Sequence, residues 1–136
     1  MIEVCCAIIV KESKILAVQR GPESRHPWKW EFPGGKINPD ETAEEGIVRE
    51  IEEELILEIE VVKPLLGIEF AYGEAEPFRL TPFVCRILSG KINLTEHIAQ
   101  RWLSLEELET MDWQDADREL IQKNQKELQL LLKGNI

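Results

Sequence analysis

Residues 34–57 read GGKINPDETAEEGIVREIEEELIL. Glu50, Glu53 and Glu54 lie three and four positions apart, so an α-helix would carry all three carboxylates on one face. Ile47, Val48, Ile51 and Leu55 recur at offsets that form an apolar stripe beside the acidic one. Such an element buries one side and displays the other, and the crowded like charges call for a divalent cation. Asp40 or Thr42 is placed to cap the first turn, where Glu44 and Glu45 suit the positive helix end, so the helix is predicted to start near residue 41. Acidic helices are ordinarily solvated faces. Here the fixed register of Gly35, Glu41, Arg49, Glu50, Glu53 and Glu54 points instead to a built site.

Upstream, Val4–Val10 and Ile15–Val18 are apolar runs separated by a polar Lys11–Lys14, which predicts a strand pair. Gly21–Lys29 reads as a loop that leads into Trp30-Glu31-Phe32-Pro33-Gly34-Gly35. Pro33 imposes an extended approach, and the paired glycines let the backbone come close to a metal or phosphate. Downstream, Glu58–Val62, Leu65–Tyr72, Phe78–Leu88 and Ala99–Leu103 read as extended segments. Pro82 places the Phe78–Leu88 strand at an edge or a bulge. Ser104 is expected to cap a helical turn over Leu105–Thr110. Leu120, Ile121, Asn124, Leu128, Leu131 and Leu132 predict one final helix over Asp115–Lys133. The fold class is therefore α/β (α+β), with helices layered on a mixed β-sheet.

The 136 residues, 43% hydrophobic, fit a single domain over 1–136. No apolar run reaches membrane-spanning length and no leader is evident, so a cytoplasmic protein without a membrane partner is expected. Cys5, Cys6 and Cys85 lack metal or disulfide spacing and read as small buried hydrophobes in strands. A net charge of −10 disfavours a nucleic acid polymer as partner. It is compatible with a small polyanion brought in by a cation.

The 35–57 segment resembles the Nudix box, with Gly35, Glu41, Arg49, Glu50, Ile51, Glu53, Glu54 and Leu57 at its defined positions. Ile56 departs from the glycine of that pattern, and a β-branched residue resists the left-handed helix exit by roughly 1–2 kcal/mol. A differently shaped exit, such as an extra turn, is therefore expected. The segments Trp30–Lys36 and Glu96–Trp102 are similar to the MutT-type branch, including its CTP pyrophosphohydrolases. The resemblance implies a Nudix-like α/β/α sandwich and hydrolysis of nucleoside triphosphates to monophosphate and pyrophosphate. CTP- or dCTP-type substrates and oxidised purine nucleotides such as 8-oxo-dGTP are the leading classes. ADP-ribose, nucleotide sugars, RNA 5′ ends and a noncatalytic sensor are the alternatives.

By the same resemblance, the Gly35 carbonyl with Glu50, Glu53 and Glu54 would hold Mg²⁺ or Mn²⁺, hard cations that prefer oxygen ligands. Glu96 would serve a second ion or deprotonate water; Glu53, Glu54 and Glu96 all remain candidate bases. Arg49 would orient a ligating glutamate or Glu41. Arg20 would contact phosphate, with Arg79 a weaker candidate for that work. Phe32 and Phe78 are candidates to stack on the base, and Asp117 to read it. An ionised Asp117 only accepts hydrogen bonds, which favours the amino group of cytosine or the N–H edge of guanine over uracil and thymine. His26 and His97 are taken as solvent-exposed, and Trp30 and Trp102 as core or pocket wall. The expected partner is a small nucleotide, bound by a monomer or a homodimer.

Overall fold

Every residue from Cys5 to Val10 is buried, in a strand whose two faces look into different cores. This is β1 (Ile2–Lys11) of a computed structural model that describes residues 1–133. Strand alternation sends Cys6, Ile8 and Val10 into one hydrophobic cluster and Cys5, Ala7 and Ile9 into the other. A strand covered on both faces must be central, which is why it reads as a continuous apolar run.

The chain turns back through β2 (Lys14–Gln19), then β3 (Trp30–Glu31) and β4 (Gly34–Lys36). Helix α1 (Ala43–Leu55) follows, then β5 (Glu58–Pro64), β6 (Ile68–Phe70), β7 (Phe78–Ser89) and β8 (Ala99–Leu103). A 3₁₀ turn over Glu106–Thr110 leads to α2 (Asp115–Lys123) and α3 (Gln125–Leu132). The sheet runs β3-β2-β1-β7-β5, with β8 added to β2, β4 to β1 and β6 to β7. β1 and β7 pair in parallel and the other pairs are antiparallel. Ile47, Ile51 and Leu55 of α1 fill one core, whereas Leu120 of α2 and Leu128 and Leu131 of α3 fill the other. The result is the expected α/β/α sandwich on a mixed sheet. Among the described residues no helix is long and apolar enough to cross a membrane.

The strand pair, the short β8 and the three buried cysteines stand as expected, and four local expectations do not. Pro82 is on neither an edge nor a bulge: β7 is central, and Pro82 pairs with Cys6 of β1. On its other side it falls between the stretch of β7 paired with β5 and the stretch paired with β6, so its missing N–H interrupts no ladder. Ser104 does not cap the 3₁₀ turn; Leu105 holds that position, and the Glu107 carboxylate accepts from the Ser104 N–H at 3.0 Å. The final helix is two helices. Asn124 leaves helical geometry (φ −106°, ψ 23°), and its buried amide bonds the N–H and C=O of Leu66 at 2.9 Å each. The fourth correction is at Ile56. There is no extra turn, because Ile56 itself adopts the left-handed exit (φ 56°, ψ 41°) and donates its N–H to Glu52 at 3.0 Å.

Candidate active site

Helix α1 begins where Thr42 accepts from the Glu45 N–H while the Glu45 carboxylate accepts from the Thr42 N–H, so two otherwise unpaired donors are satisfied reciprocally. Of the two predicted caps, Thr42 is the one used. Two turns on, Arg49 organises the acidic face. Its guanidinium takes both oxygens of Glu41, donates to Glu50 at 3.0 Å and Glu53 at 3.1 Å, and reaches the Lys36 carbonyl at 3.0 Å. The bidentate grip on Glu41 joins helix to loop, and the two further contacts hold adjacent carboxylates that would otherwise repel.

Gly34 is sterically required before the helix, and Gly35 leaves room for the side chain of Glu50. A Cβ on Gly34 would lie 2.1 Å from the Cys5 carbonyl oxygen, and one on Gly35 would lie 2.5 Å from the Glu50 carboxylate. At Gly35 a Cβ would have to displace the Glu50 carboxylate, so the bare backbone there lets that carboxylate lie against it. Glu54 lies deeper, with its side chain 3% exposed. Burial, then the neighbouring Glu50, then the charges of Glu96 and Glu31 push its carboxyl well above the usual range.

The far end of α1 fixes the next element. The Asn93 and Thr95 N–H groups donate to the carbonyls of Leu55 (2.9 Å) and Glu54 (3.1 Å), and the Thr95 hydroxyl donates to Glu53 and Glu54. These are the carbonyls a helix leaves unpaired at its C-terminus. Satisfying them carries the following residues, Glu96 and His97, beside Glu54.

Both border a cavity of about 350 Å³. One part of its wall carries Gly35, Glu54, Glu96, His97, Glu31 and Arg20. Another carries Phe32, Tyr72, Phe78 and Asp117. The Tyr72 and Phe78 rings are stacked, 6.1 Å apart and 15° from parallel. The Asp117 carboxylate accepts from the Phe32 N–H at 2.9 Å. Burial, reinforced by the charge of Glu31, raises the Asp117 carboxyl to about 8, although the Phe32 bond opposes the shift. Burial thus favours the neutral acid, a form that can donate as well as accept.

The remaining predicted residues divide. Arg20 lines the cavity and donates to Glu31 at 3.1 Å. Glu53 stands on the Arg49 side with its side chain 59% exposed. Arg79 alternates away from the cavity-lining Phe78 and Leu80, and pairs with Glu3 and Glu69 on the surface. Phe32 is buried against Trp113 as well as bordering the cavity. Trp30 and Trp102 pack against the two cores, as expected. His26 is exposed, its ring centroid 4.4 Å from that of Tyr72. His97 is not exposed: its side chain is 5% accessible, with Nε2–H donating to Glu31 at 2.7 Å.

Glu31, His97, Gln114 and Tyr72 were not predicted as site residues. Glu31 collects donors from Arg20, His97 and Gln114, while Tyr72 bonds Gln114 and accepts from the Ala116 N–H. The one signal for Glu31 was its place directly before Phe32-Pro33-Gly34-Gly35.

The NUDIX domain profile matches residues 1–123. This chain belongs to the Nudix family. A CTP pyrophosphohydrolase of Escherichia coli is 37% identical over 117 residues, covering 79% of this Nudix chain and 78% of that protein. An 8-oxo-dGTP diphosphatase of Buchnera aphidicola is 27% identical over 119 residues, covering 88% and 89%. The crystal structure of a MutT Nudix hydrolase from Burkholderia pseudomallei has a TM-score of 0.80 at 26% identity, covering 90% of this chain and 96% of that one. The protein is a Nudix hydrolase acting on nucleotides.

Nudix hydrolases generally need a divalent metal, and the side chains here suit one. Glu54 Oε2 is buried without a hydrogen-bond partner, the condition of an acceptor that lacks its cation. Among the described residues no three His, Cys, Asp or Glu side chains are already gathered as a cation cage. Arg49 holds both Glu50 and Glu53.

Proposed function

We propose that this Nudix hydrolase cleaves nucleoside triphosphates to nucleoside monophosphate and pyrophosphate, with cytidine nucleotides or oxidised purine nucleotides such as 8-oxo-dGTP as substrates. The observation that carries the reading is the single cavity bordered by Gly35, Glu54 and Glu96 on one part of its wall and by Tyr72, Phe78 and Asp117 on another. A volume of about 350 Å³ lies in the range of small-molecule sites.

The Gly35 carbonyl, Glu50, Glu53 and Glu54 would hold Mg²⁺ or Mn²⁺, and Glu96 would hold a second ion. When bound, the cation neutralises phosphoryl charge and acidifies the attacking water. Arg49 keeps Glu50 and Glu53 together before the ion arrives and anchors them to Glu41. Arg20 supplies fixed positive charge to the phosphate chain and is itself steadied by Glu31. Glu54 and Glu96 border the cavity; Glu96 is placed to take the proton of the attacking water, and Glu54 would share that role once a cation offsets the burial that favours its protonated form. Glu53 lies on the exposed side and suits ligation.

Phe78 and Tyr72 offer apolar ring surface to the base. Asp117 Oδ1 is engaged by Phe32, which leaves the other oxygen for the base edge. As a neutral acid it donates to a ring nitrogen or carbonyl, and once ionised it accepts from an amino group. Base preference should therefore depend on pH.

The test is a panel of CTP, dCTP, UTP, GTP, 8-oxo-dGTP, ADP-ribose and a nucleotide sugar, each incubated with Mg²⁺ and resolved into products. Monophosphate and pyrophosphate from CTP or 8-oxo-dGTP are expected. Orthophosphate with nucleoside diphosphate would overturn the assigned bond, and turnover confined to ADP-ribose or sugar nucleotides would overturn the substrate class. Glu53→Gln should cut turnover by more than about tenfold with the circular dichroism spectrum unchanged. Near-normal activity would remove Glu53 from the cation shell.

A further inference from the structure

His97 is fixed from two directions. Its backbone follows Thr95, whose hydroxyl and N–H are both bonded to the end of α1. Its Nε2–H donates to Glu31 at 2.7 Å, and Glu31 in turn is gripped by Arg20 and Gln114. A rigid ring held at both places has little freedom left, and its other nitrogen is thereby aimed. Nδ1 lies 3.9 Å from Glu54 Oε1, too far for a hydrogen bond. His97 Nδ1 and Glu54 Oε2 are the two buried side-chain atoms left without a partner among the described residues. His97 and Glu54 are neighbouring buried groups, each with an unpartnered atom, and they form an unfinished link that one proton between them would complete.

We infer that His97 is a positioning residue that aims the Glu54 carboxylate for cation binding, connecting it through Glu31 to Arg20 and Gln114. The inference rests on the reading of Glu54 as a cation ligand. It adds that Glu54 does not act alone. The side chain that orients it comes from a loop 43 positions further along the chain and is anchored in turn by a β3 carboxylate. Partners that hold ligands in this way typically govern metal affinity by about ten- to a hundredfold when removed.

The test is direct Mn²⁺ binding to the nucleotide-free protein, followed by the electron paramagnetic resonance signal of free Mn²⁺. His97→Ala should weaken Mn²⁺ binding by about tenfold or more and lower kcat, while KM for the nucleotide at saturating Mn²⁺ changes less than about twofold. Glu31→Gln should weaken Mn²⁺ binding too. The double variant should be no worse than His97→Ala, because both substitutions break one link. Should the alanine variant fail to fold, His97→Gln fills much of the same volume and carries the same measurement. Wild-type Mn²⁺ affinity in a folded His97 variant, with affinity lost in Glu53→Gln, would overturn this inference and leave the cation site standing. Additive effects of the two substitutions would overturn the link through Glu31. If the wild type binds no Mn²⁺, the cation reading itself falls, and this inference falls with it.

Discussion

Glu53 and Glu54 are chemically identical neighbours, yet the helix turns one outward to Arg49 and sinks the other into the cavity wall. Position on the 3.6-residue spiral makes that difference, and both placements follow from the spacing in the chain. Asp117 shows what spacing cannot supply. Its surroundings come from β1, β3 and α2, and only that enclosure raises its carboxyl from the ordinary 3.8 to about 8. The native state therefore keeps a proton that the unfolded chain gives up above its ordinary value. Stability from this group is complete below that value, drains as pH rises, and is gone once pH exceeds the folded value. Asp117→Asn keeps the shape and removes the titration. Relative to the wild type it should gain stability between about pH 5 and pH 8.5 in urea unfolding, and parallel curves would contradict the assignment. The same variant should lose the pH dependence of base preference. Glu31, His97 and Gln114 escaped the sequence for a related reason. The bond between Glu31 and His97 spans 66 positions and that between Glu31 and Gln114 spans 83, so neither has a local signature.

Among the elements, α1 was the most legible, because its apolar stripe, its acidic stripe and its Thr42 cap all lie within one continuous segment. Its exit was not. Ile56 takes a conformation that glycine would take at no cost, and the exposed side chain does little to offset the strain. The neighbouring Gly90, whose Cβ would come within 2.9 Å of the Ile56 carbonyl oxygen, shows how closely the backbone packs at that exit. Ile56→Gly should therefore raise stability by about 0.5–1 kcal/mol, the relief being reduced by the greater freedom of glycine in the unfolded chain. Thermal melting checks this, and a lower Tm would show that Ile56 makes contacts worth more than its strain. The division between α2 and α3 was hidden for a different reason. Apolar periodicity continues through Asn124, whereas the break is made by side-chain bonds to Leu66, 58 positions away.

Across the whole molecule, 26 acidic residues face 16 basic ones, and part of that excess is gathered at the Glu50–Glu54 face and the cavity wall. A cation that binds there binds the folded chain and not the unfolded one. Mg²⁺ at about a hundred times its dissociation constant should then stabilise the fold by about 2.7 kcal/mol, a rise in Tm of several degrees for a chain of this size. Glu53→Gln should blunt the rise, and chelation should abolish both the rise and the activity. A Tm indifferent to Mg²⁺ would mean that the acidic face holds no ion. The layered sandwich was legible from the order of strands and helices, and the cavity was not. Its wall draws on β1, β3, β4, α1, β7, α2 and the loops before β3, β7 and β8.

The bonds from Thr95 and Asn93 to the end of α1 have a further consequence. They make one small seam responsible both for keeping the last helical turn closed and for delivering Glu96 and His97 to their stations. Fraying there would displace Glu96 and His97 while the sheet stayed intact, so turnover should fail on heating before the molecule melts. Amide exchange at Asn93 and Thr95 would gauge it.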